Sequence, residues 1–478
     1  MMRRVWEPLF MGRQLVLWLV LGSFTGGLVG IVVTYFLKIL FWSIHVTALW
    51  PLWALALALP VGGLLTGLLI HYGAPDAAGH GTEAVIRAVH QKAGQINWKV
   101  APIKALATMT TIAAGGSAGK EGPSAQIGAA VASALADFFR FSPEQRRRIV
   151  ICGIGAGFAA VFGTPVAGAM LGIEVLAVGD LWYEMLLPSF AASVMAYEVA
   201  KGLGLTWFYP HVAHAIPFSL WSFGRLVGLG IAAGLAAYLL VLLMEGLHHG
   251  MQRLRSVRGW WPPLFPLLAG IVLFLLFVLV GRAPGGLSLG LLAHALAGHP
   301  VDPWMWWWKI VFVAITLGFG MSGGIITPLF VIGATLGSTV AGYLGLPLAD
   351  GAAVGMMAVT AAGANAPIAA VLMGMEIFGS RLGPDLLIAV VPAFIMIGNH
   401  SVYPSQRVRL QKSPWVPIPL GIALEDAPEP PLPPPWTRKR LSEDHGSERH
   451  HRAVGSTEEA SKADEALRLT WSRRDDPS

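Results

Sequence analysis

Five long apolar runs constrain this chain more than any other feature of its sequence. They cover residues 15–40, 52–70, 226–244, 264–280 and 306–319. Each run is close to the roughly 20 residues that an α-helix needs to cross the hydrocarbon of a bilayer. The first run is too long for the apolar part of a signal peptide, and no small-residue cleavage site follows it, so we expect it to be a span. The chain is therefore predicted to be an all-α polytopic membrane protein.

Glycine recurs at every fourth position within the first run, at Gly22, Gly26 and Gly30. Small residues at this spacing allow the backbone of a neighbouring helix to approach closely. We expect these three residues to serve helix packing.

The distribution of charge separates a membrane body from a charged tail. Only 13% of the 478 residues are charged and 55% are apolar, whereas a soluble domain has about 25% charged residues. A fold of this size cannot hide so many apolar side chains from water, which excludes an ordinary soluble enzyme. Charge is concentrated after a proline-rich stretch at 427–435. We expect residues 411–478 to form an extended linker and a disordered cytoplasmic tail, with no nucleotide-binding domain.

Metal sites built from cysteine or histidine are not expected. Cys152 is the only cysteine of the chain, which excludes an internal disulfide and a cysteine-based zinc site. The charged tail contains His445, His450 and His451. Histidine-rich tracts bind metal in some proteins, but a solvated tail is the simpler interpretation of this one.

Basic residues give the chain a formal net charge of +6. They form no single face and accompany no nucleic-acid motif, so we expect no nucleic-acid partner. They cluster near the N-terminus, at 146–148 and at 253–258. Lys and Arg favour cytoplasmic loops of membrane proteins. We therefore predict a cytoplasmic N-terminus at 1–14, two further cytoplasmic loops, and a location in the cell (inner) membrane with both chain ends on the cytoplasmic side.

Two regions, 101–179 and 318–398, are apolar but interrupted by Gly and Pro every few residues. Backbone broken at membrane depth has to be buried in protein or to line a wet cavity. The two regions also match each other: 115–129 aligns without gaps to 320–334 at an offset of 205, and 159–174 aligns to 361–376 at an offset of 202. We therefore predict two homologous halves, about 15–205 and 220–410, with a transport site near the midplane where they meet.

The sharpest motif is Gly119-Lys120-Glu121-Gly122-Pro123. Its proline suits the first turn of a helix, so the carboxylate is expected beside free backbone N–H groups at a helix start. Such a helix start attracts anions through its N–H groups and dipole. Glu121 either caps its own helix or acts as a tethered anion that competes with a mobile one. An ionisable residue inside a membrane segment favours the second interpretation.

The matching element of the second half, 323–328, has the same arrangement of glycines before a helix start but lacks the acid. Its N–H groups are expected to face the same point from the other side. Two opposed helix starts without Lys or Arg between them hold an anion loosely, which permits rapid release.

Over about residues 15–410 these features resemble the CLC chloride channels and anion–proton antiporters. Residues 119–123 are similar to the family's Gly-Lys/Arg-Glu-Gly-Pro motif, whose glutamate is the gate, which assigns that role to Glu121. Residues 324–328 resemble its Gly-x-Phe-x-Pro motif, and Tyr403 matches a late tyrosine that contacts the anion. The resemblance implies inverted-topology repeats, a homodimer with one pore per subunit, and anion binding by His80, Gly122, Ile325, Ile326 and Tyr403.

One departure from the family concerns the ion. Gly79-His80-Gly81-Thr82-Glu83 stands where the family has Gly-Ser-Gly-Ile-Pro, so His80 replaces the serine that contacts the anion. An imidazole N–H can donate to an anion and its charge can respond to pH; alternatively, His80 points aside and backbone N–H groups bind the ion. Chloride is the default ion, with fluoride and nitrate as alternatives.

A second departure concerns protons. The antiporters carry an inner proton-transfer glutamate at the position of Val175, one residue after Glu174. Valine carries no proton, so the sequence favours a passive chloride channel gated by Glu121, with a proton-coupled chloride antiporter of the same fold as the alternative. Glu174 and its repeat mate Glu376 are expected to be structural, satisfying backbone groups at helix ends.

A remote alternative is an intramembrane serine hydrolase, because residues 115–119 also read Gly-x-Ser-x-Gly. That function needs a histidine to activate Ser117, and no histidine lies in a matching motif. We therefore expect a transport protein rather than an enzyme, with no cofactor apart from the transported anion and the lipid bilayer as its surroundings.

Overall fold

The described part of the chain folds mostly into helices, as its apolar runs predict. The computed structural model describes residues 2–207, 209 and 216–428. Its first-half helices are α1 Met2–Ala48, α2 Leu52–Leu68, α3 Thr82–Gln91, α4 Val100–Ala113, α5 Glu121–Phe138, α6 Pro143–Phe162, α7 Pro165–Glu174 and α8 Leu186–Gly202. Those of the second half are α9 Leu220–Arg258, α10 Leu264–Val280, α11 Leu289–Leu296, α12 Met305–Gly318, α13 Ile326–Leu344, α14 Leu348–Ala364, α15 Pro367–Phe378 and α16 Gly383–Met396.

Short elements complete the fold of the described residues. A π-helical turn, Leu69–Gly73, extends α2. Two-residue strands, β1 Ala177–Val178 and β2 Arg407–Val408, pair in parallel. Short 3₁₀ turns cover Pro75–Ala77, Tyr183–Met185, Ser380–Leu382 and Leu424–Asp426. The predicted tail histidines and most of the predicted linker and tail lie outside the described residues.

Four helical stretches are long and apolar enough to cross a membrane, judged by length and composition over the described residues. They are Phe10–Ala48, Leu52–Gly73, Leu220–Val257 and Ile326–Leu344. The run at 264–280 has the same bounds as α10, and the run at 306–319 differs from α12 by one residue at each end. Each of the two interrupted regions is divided into four helices, α4 to α7 and α13 to α16, of which α13 is one of the four membrane-length stretches.

The basic clusters lie in helix ends rather than in the loops that we expected. Arg146, Arg147 and Arg148 lie in the first turns of α6, because a capping box between Ser142 and Gln145 starts the helix before them. The cluster at 253–258 lies in the last turns of α9, which continues to a left-handed Gly259.

Glycine allows α1 and α8 to pack in backbone contact, as predicted from the glycine repeat. A Cβ atom on Gly26 would overlap the carbonyl oxygen of Ala192 in α8. The second half repeats this arrangement, because a Cβ atom on Gly230 in α9 would overlap the carbonyl oxygen of Ala389 in α16. Equivalent helices of the two halves therefore pack in the same way.

The two halves also exchange hydrogen bonds reciprocally. Glu174, the last residue of α7, accepts N–H bonds of 3.0 and 2.7 Å from the first turn of α15. Glu376 in α15 accepts N–H bonds of 3.0 and 2.7 Å from the first turn of α7. The donors are Ile368 and Ala369 in α15 and Val166 and Ala167 in α7. The predicted structural role of both glutamates is confirmed, and each one serves the opposite half.

A second exchange joins the loop before α5 to α12 of the second half, and the loop before α13 to α4 of the first half. The N–H of Ser117 donates to Oγ1 of Thr316 at 3.0 Å, and the N–H of Ser322 donates to Oγ1 of Thr111 at 3.2 Å. Mutual contacts of this kind are expected between two similar parts related by a two-fold axis. The matched sequence segments are therefore matched in space.

Candidate anion site

The two glycine-rich loops meet at the point where α5 and α13 begin. The N–H of Gly119 donates to the carbonyl of Gly324 at 2.7 Å, and the N–H of Gly324 donates to the carbonyl of Gly119 at 2.6 Å. This pair of bonds places the start of each helix beside the start of the other. Helix starts from the two halves therefore lie together, as the sequence motifs predict.

The Glu121 carboxylate lies at the start of α13. Glu121 is the first residue of α5 and is only 1% exposed. Its Oε2 accepts the N–H of Thr327 at 3.0 Å and the N–H of Lys120 at 3.1 Å, and its Oε1 accepts the Thr327 hydroxyl. Free N–H groups at a helix start bind anions readily. The carboxylate therefore occupies a place where a mobile anion would be stabilised by the same groups.

Thr327 is a contact that the sequence analysis missed. The analysis assigned the N–H groups of this loop to Ile325 and Ile326, which are the N-cap and first residue of α13 and are fully buried. The observed donor is one residue further along. The N–H groups in the first turn of a helix have no partners inside that helix. A threonine in this turn, which adds a hydroxyl donor, was the sequence feature that could have identified the contact.

Three buried polar atoms that have no hydrogen-bond partner among the described residues lie in the segments around α3 and Tyr403. They are Nδ1 of His80, Oγ1 of Thr82 and Oη of Tyr403. The rings of His80 and Tyr403 are 5.7 Å apart between centroids. Buried polar atoms in proteins are nearly always paired, so these three are candidates for contact with a bound ion. His80 and Tyr403 were predicted as site residues, whereas Thr82 was not.

Close backbone contact brings the His80 loop against the start of α5. A Cβ atom on Gly122 would overlap the carbonyl oxygen of His80, and one on Gly81 would overlap the carbonyl of Gly122. Gly81 also has a φ of +91°, which side chains with a Cβ atom rarely adopt. Gly122, predicted as an N–H donor, thus lies at the contact between the His80 loop and the Glu121 helix.

A buried lysine stabilises the segment before His80 through hydrogen bonds to its carbonyl groups. Nζ of Lys104 in α4 donates to the carbonyls of Ala77 and Gly79 at 3.0 and 2.6 Å. Lys309 repeats this arrangement in the second half, where it donates to Pro284 and Gly286 at 3.0 and 3.1 Å. The sequence analysis missed both lysines, because an isolated lysine in an apolar run gave no motif.

Lys120 borders a cavity of about 390 Å³ next to Glu121. Its Nζ lies 5.1 Å from the centroid of the Phe41 ring. Other lining residues come from α1, from the segment after α8 and from α11. This cavity therefore adjoins the start of α5 at Lys120 and is lined mainly by apolar groups.

Ser117 does not have the surroundings of a hydrolase nucleophile. Its hydroxyl donates to the carbonyl of Pro284 at 2.8 Å, and its N–H donates to Thr316. The hydroxyl proton is thus held by a carbonyl oxygen rather than by the imidazole that the hydrolase alternative needs.

Comparison with known proteins extends over most of the chain. The family described as voltage gated chloride channel matches residues 62–398. The chain is 35% identical to the chloride/fluoride channel protein of Pseudomonas syringae pv. tomato, covering 79% of this chain and 82% of that protein. It is 28% identical to the voltage-gated ClC-type chloride channel ClcB of Shigella flexneri, covering 73% of this chain and 86% of that one.

Solved structures share the fold. The crystal structure of a CLC-type fluoride/proton antiporter superposes with a TM-score of 0.77 at 28% identity, covering 82% of this chain and 98% of that one. A slow cyanobacterial Cl⁻/H⁺ antiporter superposes with a TM-score of 0.68 at 22% identity, covering 80% and 94%. The second likeness supports the helical architecture alone.

Proposed function

This chain belongs to the voltage-gated chloride channel family, CLC, and from that premise we propose that it exchanges a small halide, chloride or fluoride, for protons. As a member of this family, the chain is a multi-pass membrane protein and an anion transporter of the CLC family. Proton coupling is favoured by the antiporter at 28% identity.

One observation carries the proposal: the Glu121 carboxylate accepts the N–H and hydroxyl of Thr327 at the start of α13. An ionised carboxylate and a halide compete for these donors because both are anions. Protonation removes the charge of Glu121 and weakens its hold on the helix start. A halide then takes the vacated place, so proton binding and halide binding become linked at one site.

The remaining donors are proposed to hold the halide in the inner part of the path. Helix starts at Gly122, Ile325 and Ile326 supply partial positive charge rather than full charges, which favours binding weak enough for release. The unpaired polar atoms of His80 and Tyr403 supply directed hydrogen bonds. We add Thr82 to this set because its hydroxyl is buried and unpaired in the same way.

A passive channel is the second candidate. The sequence analysis ranks it first because Val175, fully buried at the end of α7, carries no proton. The antiporter at 28% identity favours the exchange mechanism instead. Valine at position 175 removes one proton-transfer residue. Exchange then requires that another group transfers the proton.

Purified protein in liposomes tests the proposal. Vesicles loaded with chloride or fluoride are diluted into halide-poor medium, and halide efflux and internal pH are recorded together. We expect the outward halide gradient to drive protons inward against their own gradient. Halide efflux without proton movement, for both ions, would contradict the exchanger and support the channel.

A further inference from the structure

A cluster of charged and polar side chains adjoins the buried hydroxyls of the anion site. Glu83 lies in the first turn of α3, where its carboxylate accepts the N–H of Ser405 at 3.2 Å and also the Ser405 hydroxyl. Arg87, one turn further, forms ion pairs of 3.2 Å with Glu83 and with Glu425. Ser405 also contacts Glu425 at 3.3 Å. The charged groups that face Glu83 are therefore Arg87 on its own helix and Glu425 from the C-terminal segment.

Glu83 lies at the boundary between the buried site and solvent. Thr82, the residue before it, is fully buried, whereas the Glu83 side chain is 15% exposed and that of Arg87 is 46% exposed. Near its other end α3 contacts the basic cluster of α6, because Nε of Arg147 donates to the carbonyl of Val89 at 3.1 Å. That cluster is expected on the cytoplasmic side. Glu83 is thus an acid on α3 between the buried site and the side that is expected to be cytoplasmic.

Glu83 also lies close to Val175, the position at which the antiporters have their inner proton-transfer glutamate. Nε2 of Gln406 donates to the carbonyl of Val175 at 2.9 Å, and Gln406 directly follows the serine that contacts Glu83. Two consecutive residues therefore connect Val175 with Glu83. A carboxylate is present in this part of the protein, but it comes from α3 rather than from the end of α7.

We propose that Glu83 is the inner proton-transfer residue of this chain and performs the step that Val175 cannot perform. The inference rests on the proposed halide–proton exchange. Burial raises the pKa of the Glu83 carboxyl, while the bonds from Ser405 and the charge of Arg87 act in the opposite direction. Burial thus favours the protonated form, as a proton carrier at the edge of a buried site requires.

In this proposal the proton passes from Glu83 through buried hydroxyls to Glu121. An Oε atom of Glu83 takes a proton from solvent hydronium, which leaves as water, and then gives it to a hydroxyl oxygen that releases its own proton onward. The hydroxyls of Thr82, which directly precedes Glu83, and of Tyr403 are buried and have no hydrogen-bond partner among the described residues, so they are available to relay the proton. The proton ends on the Glu121 carboxylate, which becomes neutral and leaves Thr327.

The test compares Glu83→Gln with Glu425→Gln in liposomes carrying the full-length protein. Both variants remove a carboxylate that contacts Ser405 and Arg87, but only Glu83 adjoins the buried hydroxyls. Halide efflux and proton uptake are measured separately. We expect Glu83→Gln to lower proton uptake per halide at least about tenfold while halide efflux continues, and Glu425→Gln to keep the wild-type ratio. Adding Val175→Glu to Glu83→Gln is expected to restore proton uptake.

The possible outcomes separate this inference from the function on which it rests. Wild-type protein that moves halide without protons contradicts both. Wild-type coupling that persists in Glu83→Gln contradicts the role of Glu83 alone. Loss of halide efflux together with proton uptake in Glu83→Gln also contradicts it, because Glu83 would then be needed for the anion path or the fold. Equal loss of coupling in Glu425→Gln would assign the effect to the cluster's charge rather than to Glu83.

Discussion

At the scale of single residues, the position of one carboxylate dominates the site. Glu121 satisfies the start of a helix that belongs to the other half of the protein, through Thr327. A residue that only capped its own helix would bond to the first turn of α5 instead. We propose that protonation and anion binding compete at this contact.

Replacement of Glu121 by glutamine tests this competition. Glutamine has a similar shape but carries neither the charge nor an acid proton, so it cannot take up or release the transported proton and we expect proton uptake to fall to the background of protein-free vesicles. Halide efflux should continue and lose its increase at acid pH. Stopped-flow or electrode records of efflux from pH 4.5 to 7.5 measure this, with Glu184→Gln, an exposed acid, as the matched control. A pH profile unchanged from wild type would contradict the gate assignment.

His80 is the residue for which an ion preference is predicted. His80→Ser restores the hydroxyl that the family uses and should raise chloride efflux relative to fluoride efflux by about fivefold, the value of one hydrogen bond of about 1 kcal/mol. Tyr403→Phe removes a hydroxyl common to both ions and should slow both equally. Initial efflux rates with each halide measure the ratio. An unchanged ratio in His80→Ser would show that the imidazole points away from the ion.

At the scale of helices, uniform stretches were predictable and interrupted ones were not. The run at 264–280 has the bounds of α10 because it is apolar throughout and ends at a glycine. The helices α1 and α9 continue well beyond their apolar runs, because polar residues can form a helix as well as apolar ones. The short helices α3 and α11 were not predicted, because neither contains an apolar run long enough to cross a membrane. The site residues found from the sequence were those within motifs; Thr82, Thr327 and Lys104 depend on contacts between distant segments.

Close helix packing gives a stability prediction at the same scale. Gly26→Ala places a methyl group against the backbone of α8 at Ala192, and overpacking of this kind costs about 1–3 kcal/mol. Gly27→Ala is the matched control on the same helix, because its nearest neighbour would be Cγ of Met195 at 3.7 Å, an ordinary contact. Thermal unfolding in detergent should show a lower midpoint for Gly26→Ala only. Equal midpoints for the two variants would mean that α1 and α8 can separate without cost.

At the scale of the whole molecule, the reciprocal contacts give the two halves a common architecture. The sequence offsets predicted this duplication, and the exchanged bonds of Glu174 and Glu376 place matched elements against one another. Inverted topology and a homodimer remain predictions from the family resemblance. Chemical crosslinking of membranes, followed by size analysis, is expected to yield a species of twice the chain mass.

Orientation in the membrane is predicted from the basic clusters. Cys152 is fully buried, so a second cysteine introduced at an exposed position will be the main site of labelling. Arg255→Cys near the end of α9 should react with a membrane-impermeant maleimide only after the cells are opened, because that end is expected in the cytoplasm. Labelling in intact cells would reverse the predicted orientation. The unsubstituted chain provides the background.

The exchange of Glu174 and Glu376 has a consequence for biosynthesis. The N–H groups of Val166 and Ala167 depend on a carboxylate that lies about 210 residues later in the chain, so they are without this partner while the ribosome is still translating the second half. Unsatisfied backbone groups are costly inside a bilayer. The first half therefore enters the membrane as an incomplete body, and final assembly has to follow insertion of the second. Two separately produced halves should be degraded when expressed alone and be recovered together when co-expressed.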